Sequence, residues 1–176
     1  MLRGELVGLR ARHEADVPIL DAELYDDVVT AIRSNWKPWY PLPPGPDTSE
    51  HRIREPEDDV VRFSVVTLTD GELAGMANMA WIDRHNRTAY LGLMLRPDFR
   101  GKGLAVDIVR VLCHYGFVVL GLNRLQIETL TDNVAMIRTA EKAGFRQEGV
   151  FRQSVWLLGA FVDSVMFGML AQEWSA

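Results

Sequence analysis

Apolar and polar positions change period several times along the 176 residues, and the changes divide the chain into elements. "ELVGLRAR" alternates and predicts a first strand, whereas Glu14 to Arg33 carries helical spacing in two pieces, broken near Tyr25 to Asp27. Three alternating runs follow: "RFSVVTLT", "ELAGMANMAWI" and "TAYLGLML". Asp70-Gly71 between the first two is a positive-φ hairpin turn, and "DRHNR" separates the second and third. From Gly103 to Leu120 apolar residues recur at Leu104, Ile108, Val111, Leu112, Tyr115 and Val119, which predicts one long helix. "NRLQIETL" returns to strand spacing. Asp132 or Asn133 can then cap a helix that runs to Lys142 and ends at Gly144, a residue suited to a left-handed C-cap. "FRQEGVFRQSVWLL" and "AFVDSVMFGML" are two closing strands. The expectation is an α+β domain with a mixed, mostly antiparallel twisted sheet and about four helices, spanning 1–176 as one unit.

Between the first helices and the first long strand lies "NWKPWYPLPPGPDTSE", with five prolines and two tryptophans. Proline forbids regular pairing, while tryptophan seeks cover. Trp36 and Trp39 therefore either pin a surface loop to the core or form an aromatic wall over a ligand cleft.

Composition narrows the function. The formal charge of −5 argues against a nucleic-acid or anionic-membrane binder and mildly favours a cationic partner such as an amine. Cys113 is the single cysteine, set in an apolar helical run, so no internal disulfide forms and a buried, inert thiol is expected. The opening lacks the apolar run of a signal peptide, and no stretch reaches about 18 apolar residues, so a cytoplasmic protein is expected. Nothing has metal-ligand spacing.

The densest chemistry is at "RPDFRGKGLA". A helix beginning near Gly103 leaves its first N–H groups unpaired, with about half a positive charge there. Gly101 and Gly103 let backbone approach a diphosphate closely, Arg100 and Lys102 add charge, and Ala105 keeps the first turn narrow. The stretch is neither a P-loop nor a dinucleotide fingerprint, because it lacks Gly-Lys-Ser/Thr and a third glycine.

Taken in order, "GLRARHEADVPIL", "NWKPWYP", "RPDFRGKGLA", "NRLQIETLTDNVAMIRTAEKAGFRQEGVFR" and "GAFVDSVMFGMLAQEW" resemble the GNAT superfamily of acyl-CoA-dependent N-acyltransferases. More narrowly they look like its Rim-type branch, named for ribosomal-protein N-terminal acetyltransferases. The resemblance covers nearly the whole chain. It implies a splay between the strands "TAYLGLML" and "NRLQIETL" that receives the pantetheine arm, bonded by backbone groups near Leu93 and Leu95. The diphosphate would meet the amides of Arg100, Gly101, Lys102, Gly103, Leu104 and Ala105. Asn133 matches the asparagine that touches the arm or the following loop, and it can equally cap its helix.

The implied reaction moves the acetyl group of acetyl-CoA to a primary amine. Deprotonating an ammonium of pKa near 10 at pH 7 costs about 4 kcal/mol, so a base is the group to find. Three positions where the family often carries acid–base residues hold Tyr90, Met136 and Ala140 instead. Glu128, on the strand bordering the splay, and Tyr90 are the candidates; His85 lies in a turn and His114 among apolar neighbours. The amine would enter near Trp36 and Trp39, and could be a protein N-terminus or a small molecule. Another acyl-CoA such as succinyl-CoA, or a non-catalytic acyl-CoA-binding module, are the alternatives. The related branch often forms homodimers.

Overall fold

The computed structural model describes every residue except Trp36, Pro44, Pro46 and Ala176. Its strands are β1 (Leu2–Arg3), β2 (Val7–Arg10), β3 (Val60–Thr67), β4 (Leu73–Asp83), β5 (Thr88–Leu95), β6 (Arg124–Leu130), β7 (Arg146–Leu157) and β8 (Ala160–Leu170). Its α-helices are α1 (Asp16–Leu20), α2 (Val28–Asn35), α3 (Leu104–His114) and α4 (Val134–Lys142). All eight strands form one sheet in the order β1-β2-β3-β4-β5-β6-β8-β7. Among the described residues β5 and β6 are the one parallel pair, and every other pairing is antiparallel. The α+β class, the mostly antiparallel sheet and the four helices agree with the sequence reading.

Alternation decides which helices cover which face. Ala77, Met79, Ala89, Leu91, Leu125, Ile127 and Phe167 point one way and pack under Ile108, Val111 and Leu112 of α3 in the main core. On the opposite face Leu20 and Leu24 cover Leu73, Met76 and Met94, and Ile32 of α2 covers Leu130, Val155 and Leu157.

Two elements differ from expectation. The first expected strand, Glu5 to Arg12, is present as β2, but a two-residue strand that the pattern did not mark, β1, precedes it. Gly4 N–H donates to the Val7 carbonyl at 2.8 Å in the turn between them. The long helix after Gly103 ends its α-helical part at His114 and widens into a π-helical turn, Tyr115–Val119. Packing at Gly116 accompanies this change: a Cβ there would lie 2.9 Å from Met79 Cε and 3.0 Å from Leu125 Cδ2. A wide turn at a glycine lets the backbone rest on the sheet.

Candidate active site

The parallel register of β5 and β6 runs from Thr88↔Arg124 to Tyr90↔Gln126 and then stops. β5 continues to Leu95 and β6 to Leu130, so their last turns of chain diverge. Arg96 N–H bonds the Ala74 carbonyl on the β4 side. By alternation the backbone groups of Leu93 and Leu95 face the gap instead. One of them is engaged: the Leu95 carbonyl accepts from Arg100 Nε at 3.0 Å.

A cleft of about 800 Å³ occupies this gap, bounded by β5, β6, the loop before α3, the start of α4 and the end of α2. That is within the usual range for a small-molecule site. At its floor α3 begins with Gly103 as N-cap, at φ 81°, and no side chain caps the helix. Gly101 has φ 75°, and a Cβ at either glycine would meet nothing within 4 Å. Side-chain-free backbone donors thus face open space beside Arg100, Leu104 and Ala105, all of which line the cleft. These features fit a linked diphosphate.

Asn133 takes the capping role expected of it. Its Oδ1 accepts Met136 N–H at 3.2 Å as the α4 N-cap, its Nδ2 donates to Thr129 Oγ1 at 3.0 Å, and it lines the cleft. Glu128 also lines the cleft and accepts from Ser164 Oγ at 2.5 Å. Arg33 of α2 reaches Asp132 at 2.7 Å, which ties α2 to the loop before α4.

Three candidates sit elsewhere. Tyr90 belongs to the still-paired part of the strands, and its ring packs edge-on against Trp81 with centroids 5.0 Å apart. Lys102 turns its ammonium over the Phe99 ring, 5.3 Å from the centroid, outside the cleft lining. Trp39 pins the proline-rich loop: its Nε1 donates to the Tyr25 carbonyl at 3.0 Å, and the two rings lie 6.1 Å apart. Tyr25 returns the bond through its hydroxyl to the Tyr40 carbonyl at 2.9 Å. Trp36 lies outside the described residues. His114 packs on Trp174 at 5.9 Å, and His85 stands in an exposed turn.

The cleft also contains residues that sequence reasoning missed. Asn78 of β4 sits opposite Gly92, where a Cβ would come within 2.5 Å of Asn78 Oδ1. A polar residue inside an apolar strand, facing a glycine, was the available signal. Arg138 and Lys142, one turn apart on α4, add positive charge to the wall.

Comparison with known proteins bears on this geometry. The acetyltransferase (GNAT) domain model matches residues 7–146. The chain belongs to the GNAT acetyltransferase family. It is therefore an acyl-CoA-dependent acetyltransferase. A probable N-acetyltransferase of Bacillus subtilis is 31% identical over 123 residues, 69% of this chain and 68% of that protein. A Bacillus subtilis protein provisionally named a ribosomal N-acetyltransferase is 35% identical over 107 residues, 61% of this chain and 58% of the relative. The crystal structure of Vibrio cholerae spermidine N-acetyltransferase with CoA and spermine superposes with a TM-score of 0.81. It covers 95% of this chain and 96% of its own at 20% identity, a likeness of fold. Family membership follows from the domain match, and the relative named for ribosomal acetylation is one of several N-acetyltransferase relatives. Among the described residues no helix is long and apolar enough to cross a membrane, and no group of three or more His, Cys, Asp or Glu side chains is placed to hold a metal ion.

Proposed function

We propose that the protein transfers the acetyl group of acetyl-CoA to a primary amine by direct attack in a ternary complex. The observation that carries this reading is the cleft beyond the last β5–β6 pair, Tyr90↔Gln126, lined by a helix start that two positive-φ glycines precede. The backbone of Leu93 and Leu95 and the amides from Gly101 to Ala105 would hold the coenzyme, with Asn133 beside the arm. When bound, it supplies an acyl group activated as a thioester. Glu128 accepts the proton that the ammonium must lose, since it is the cleft's carboxylate on the gap itself. The acceptor enters from the α2 side, past Ser34, Asn35 and Asn78. Both Bacillus relatives carry N-acetyltransferase names, which favours nitrogen as the acceptor atom. A small-molecule amine and a protein N-terminus are both served by this opening.

Thiol release tests the reading. Acetyl-CoA, with succinyl-CoA as comparison, is incubated with spermine, glucosamine or an alanyl-initiated hexapeptide. Amine-dependent release from acetyl-CoA is expected. Glu128→Gln should lower the rate at neutral pH by about 10²–10⁴-fold, and by less near pH 10, where the amine deprotonates unaided. No amine-dependent release with any acceptor would overturn the proposal.

A further inference from the structure

Glu128 is not an isolated carboxylate. Ser164 of β8 is fully buried and its hydroxyl lies 2.5 Å from Glu128 Oε1. The same oxygen lies 2.8 Å from the hydroxyl of Ser154 on β7, the strand at the free edge of the sheet. Ser154 is exposed, so two hydroxyls join the cleft to solvent on the far side of β8.

A local irregularity builds this line. The β7–β8 register shifts between Phe151 and Val155, and Gln153 adopts φ 52°. Asp163 holds the bulge by accepting Gln153 N–H at 2.7 Å. In a regular antiparallel pair the extra residues would be absent, and no β7 hydroxyl would meet Ser164 here. Ser154 Oγ also stands 3.1 Å from the Phe151 carbonyl, which gives its proton a second resting place.

We propose that Ser164 and Ser154 form a relay that returns the proton taken up by Glu128 to solvent at the β7 edge of the sheet. This rests on Glu128 being the base. The reason for an exit at the edge is occupancy: during reaction the coenzyme and the amine fill the cleft and exclude the water that could otherwise remove the proton. The protonated Glu128 carboxyl donates to Ser164 Oγ as the Ser164 proton passes to Ser154 Oγ. The Ser154 proton passes in turn to a solvent base. Glu128 is left as a carboxylate, both serines keep one proton each, and rotation of the two hydroxyls restores the starting arrangement. Both serines are positioning residues, since neither meets the substrates.

The test uses the whole chain preloaded with acetyl-CoA and mixed with whichever of spermine, glucosamine or the alanyl peptide is turned over fastest. Steady-state rates over many turnovers, at saturating acetyl-CoA and amine, are measured in H2O–D2O mixtures. Ser154→Ala leaves the Glu128–Ser164 bond intact, so a purely structural role for Ser164 predicts an unchanged rate and an unchanged proton inventory. The relay predicts a loss of about three- to tenfold and an inventory that moves from curved toward linear, restored in Ser154→Thr. Ser164→Thr should likewise retain function that Ser164→Ala loses. An unaltered rate and inventory in Ser154→Ala would overturn the relay while leaving Glu128 as base. Full activity of Glu128→Gln, or turnover of none of the three amines, would overturn the base and the relay together.

Discussion

Asp107 of α3 reaches across to the β1–β2 hairpin, where its Oδ2 accepts the Val7 N–H at 2.9 Å. The same carboxylate takes Leu6 N–H at 2.7 Å and, through Oδ1, Glu5 N–H at 3.0 Å. One side chain therefore satisfies three backbone donors and fastens the helix that begins at the glycine loop. The approach is close enough that a Cβ on Gly4 would lie 2.5 Å from the carboxylate oxygens. Removing the acceptor leaves those donors partly buried and unpaired. Asp107→Ala should lower unfolding stability by about 3 kcal/mol, and Asp107→Asn by about half as much, measured by urea denaturation. A parental midpoint in the alanine variant would show that the hairpin is held by other means.

Asp16 gives the fold an acid limit. Burial acts to raise its pKa, but the Arg10 fork at 2.6 and 2.9 Å, His13 N–H at 2.8 Å and Ser64 Oγ at 2.8 Å outweigh it and hold the group at about 2. Its ordinary value is 3.8. The folded pKa is depressed, so the stabilisation is present above the unfolded value and fades as pH falls from about 4 through 2. The shift corresponds to about 2 kcal/mol. Asp16→Asn should remove that share of the pH dependence. Stability curves of parent and variant that stay parallel between pH 5 and 2 would refute it.

Cys113 should be silent in its own assay. The residue is 1% exposed, and burial pushes its thiol up to about 12 from an ordinary 9.0. The neutral thiol is what the fold accommodates, so its contribution to stability holds below pH 9 and is lost as pH rises from there toward 12. At pH 8 the native protein should show no fast reaction with a disulfide reagent, and one thiol per chain in denaturant. Rapid titration of native protein would contradict the burial.

What was legible in the sequence is what depends on a few adjacent residues. Gly101 and Gly103 show positive φ, and Asn133 caps α4 through Met136 N–H, because each requirement is local. Most strand and helix spans hold for the same reason, the opening hairpin and the end of α3 excepted: period follows from which face is covered. Where pairing between β5 and β6 stops is not local. It depends on α3 and α4 packing on the sheet, and it alone separates Glu128 on the gap from Tyr90 beside Trp81. The direction of a long side chain is equally out of reach. Lys102 leans on Phe99, and Trp39 finds the Tyr25 carbonyl, through partners distant from or unmarked by any pattern. The Ser164–Ser154 pair needed a bulge in β7 that strand alternation cannot announce.

The glycine loop can be tested against a matched control, because Gly71 shares its backbone state. Gly103 has φ 81° and Gly71 φ 75°, and a Cβ at either would meet nothing within 4 Å. Valine at either position therefore costs conformational strain rather than a clash, about 1–2 kcal/mol. Thermal unfolding without ligand should fall by similar amounts in Gly103→Val and Gly71→Val. Only Gly103 borders the cleft, whereas Gly71 sits in the turn between β3 and β4. A branched side chain at the α3 N-cap would stand where a diphosphate must approach the first helical amides. Calorimetric titration with CoA should thus show affinity weakened tenfold or more in Gly103→Val, about 1.4 kcal/mol, and parental affinity in Gly71→Val. Equal binding by both variants would mean that the coenzyme is held elsewhere. Equal weakening in both would mean that the loss follows general strain and not the loop.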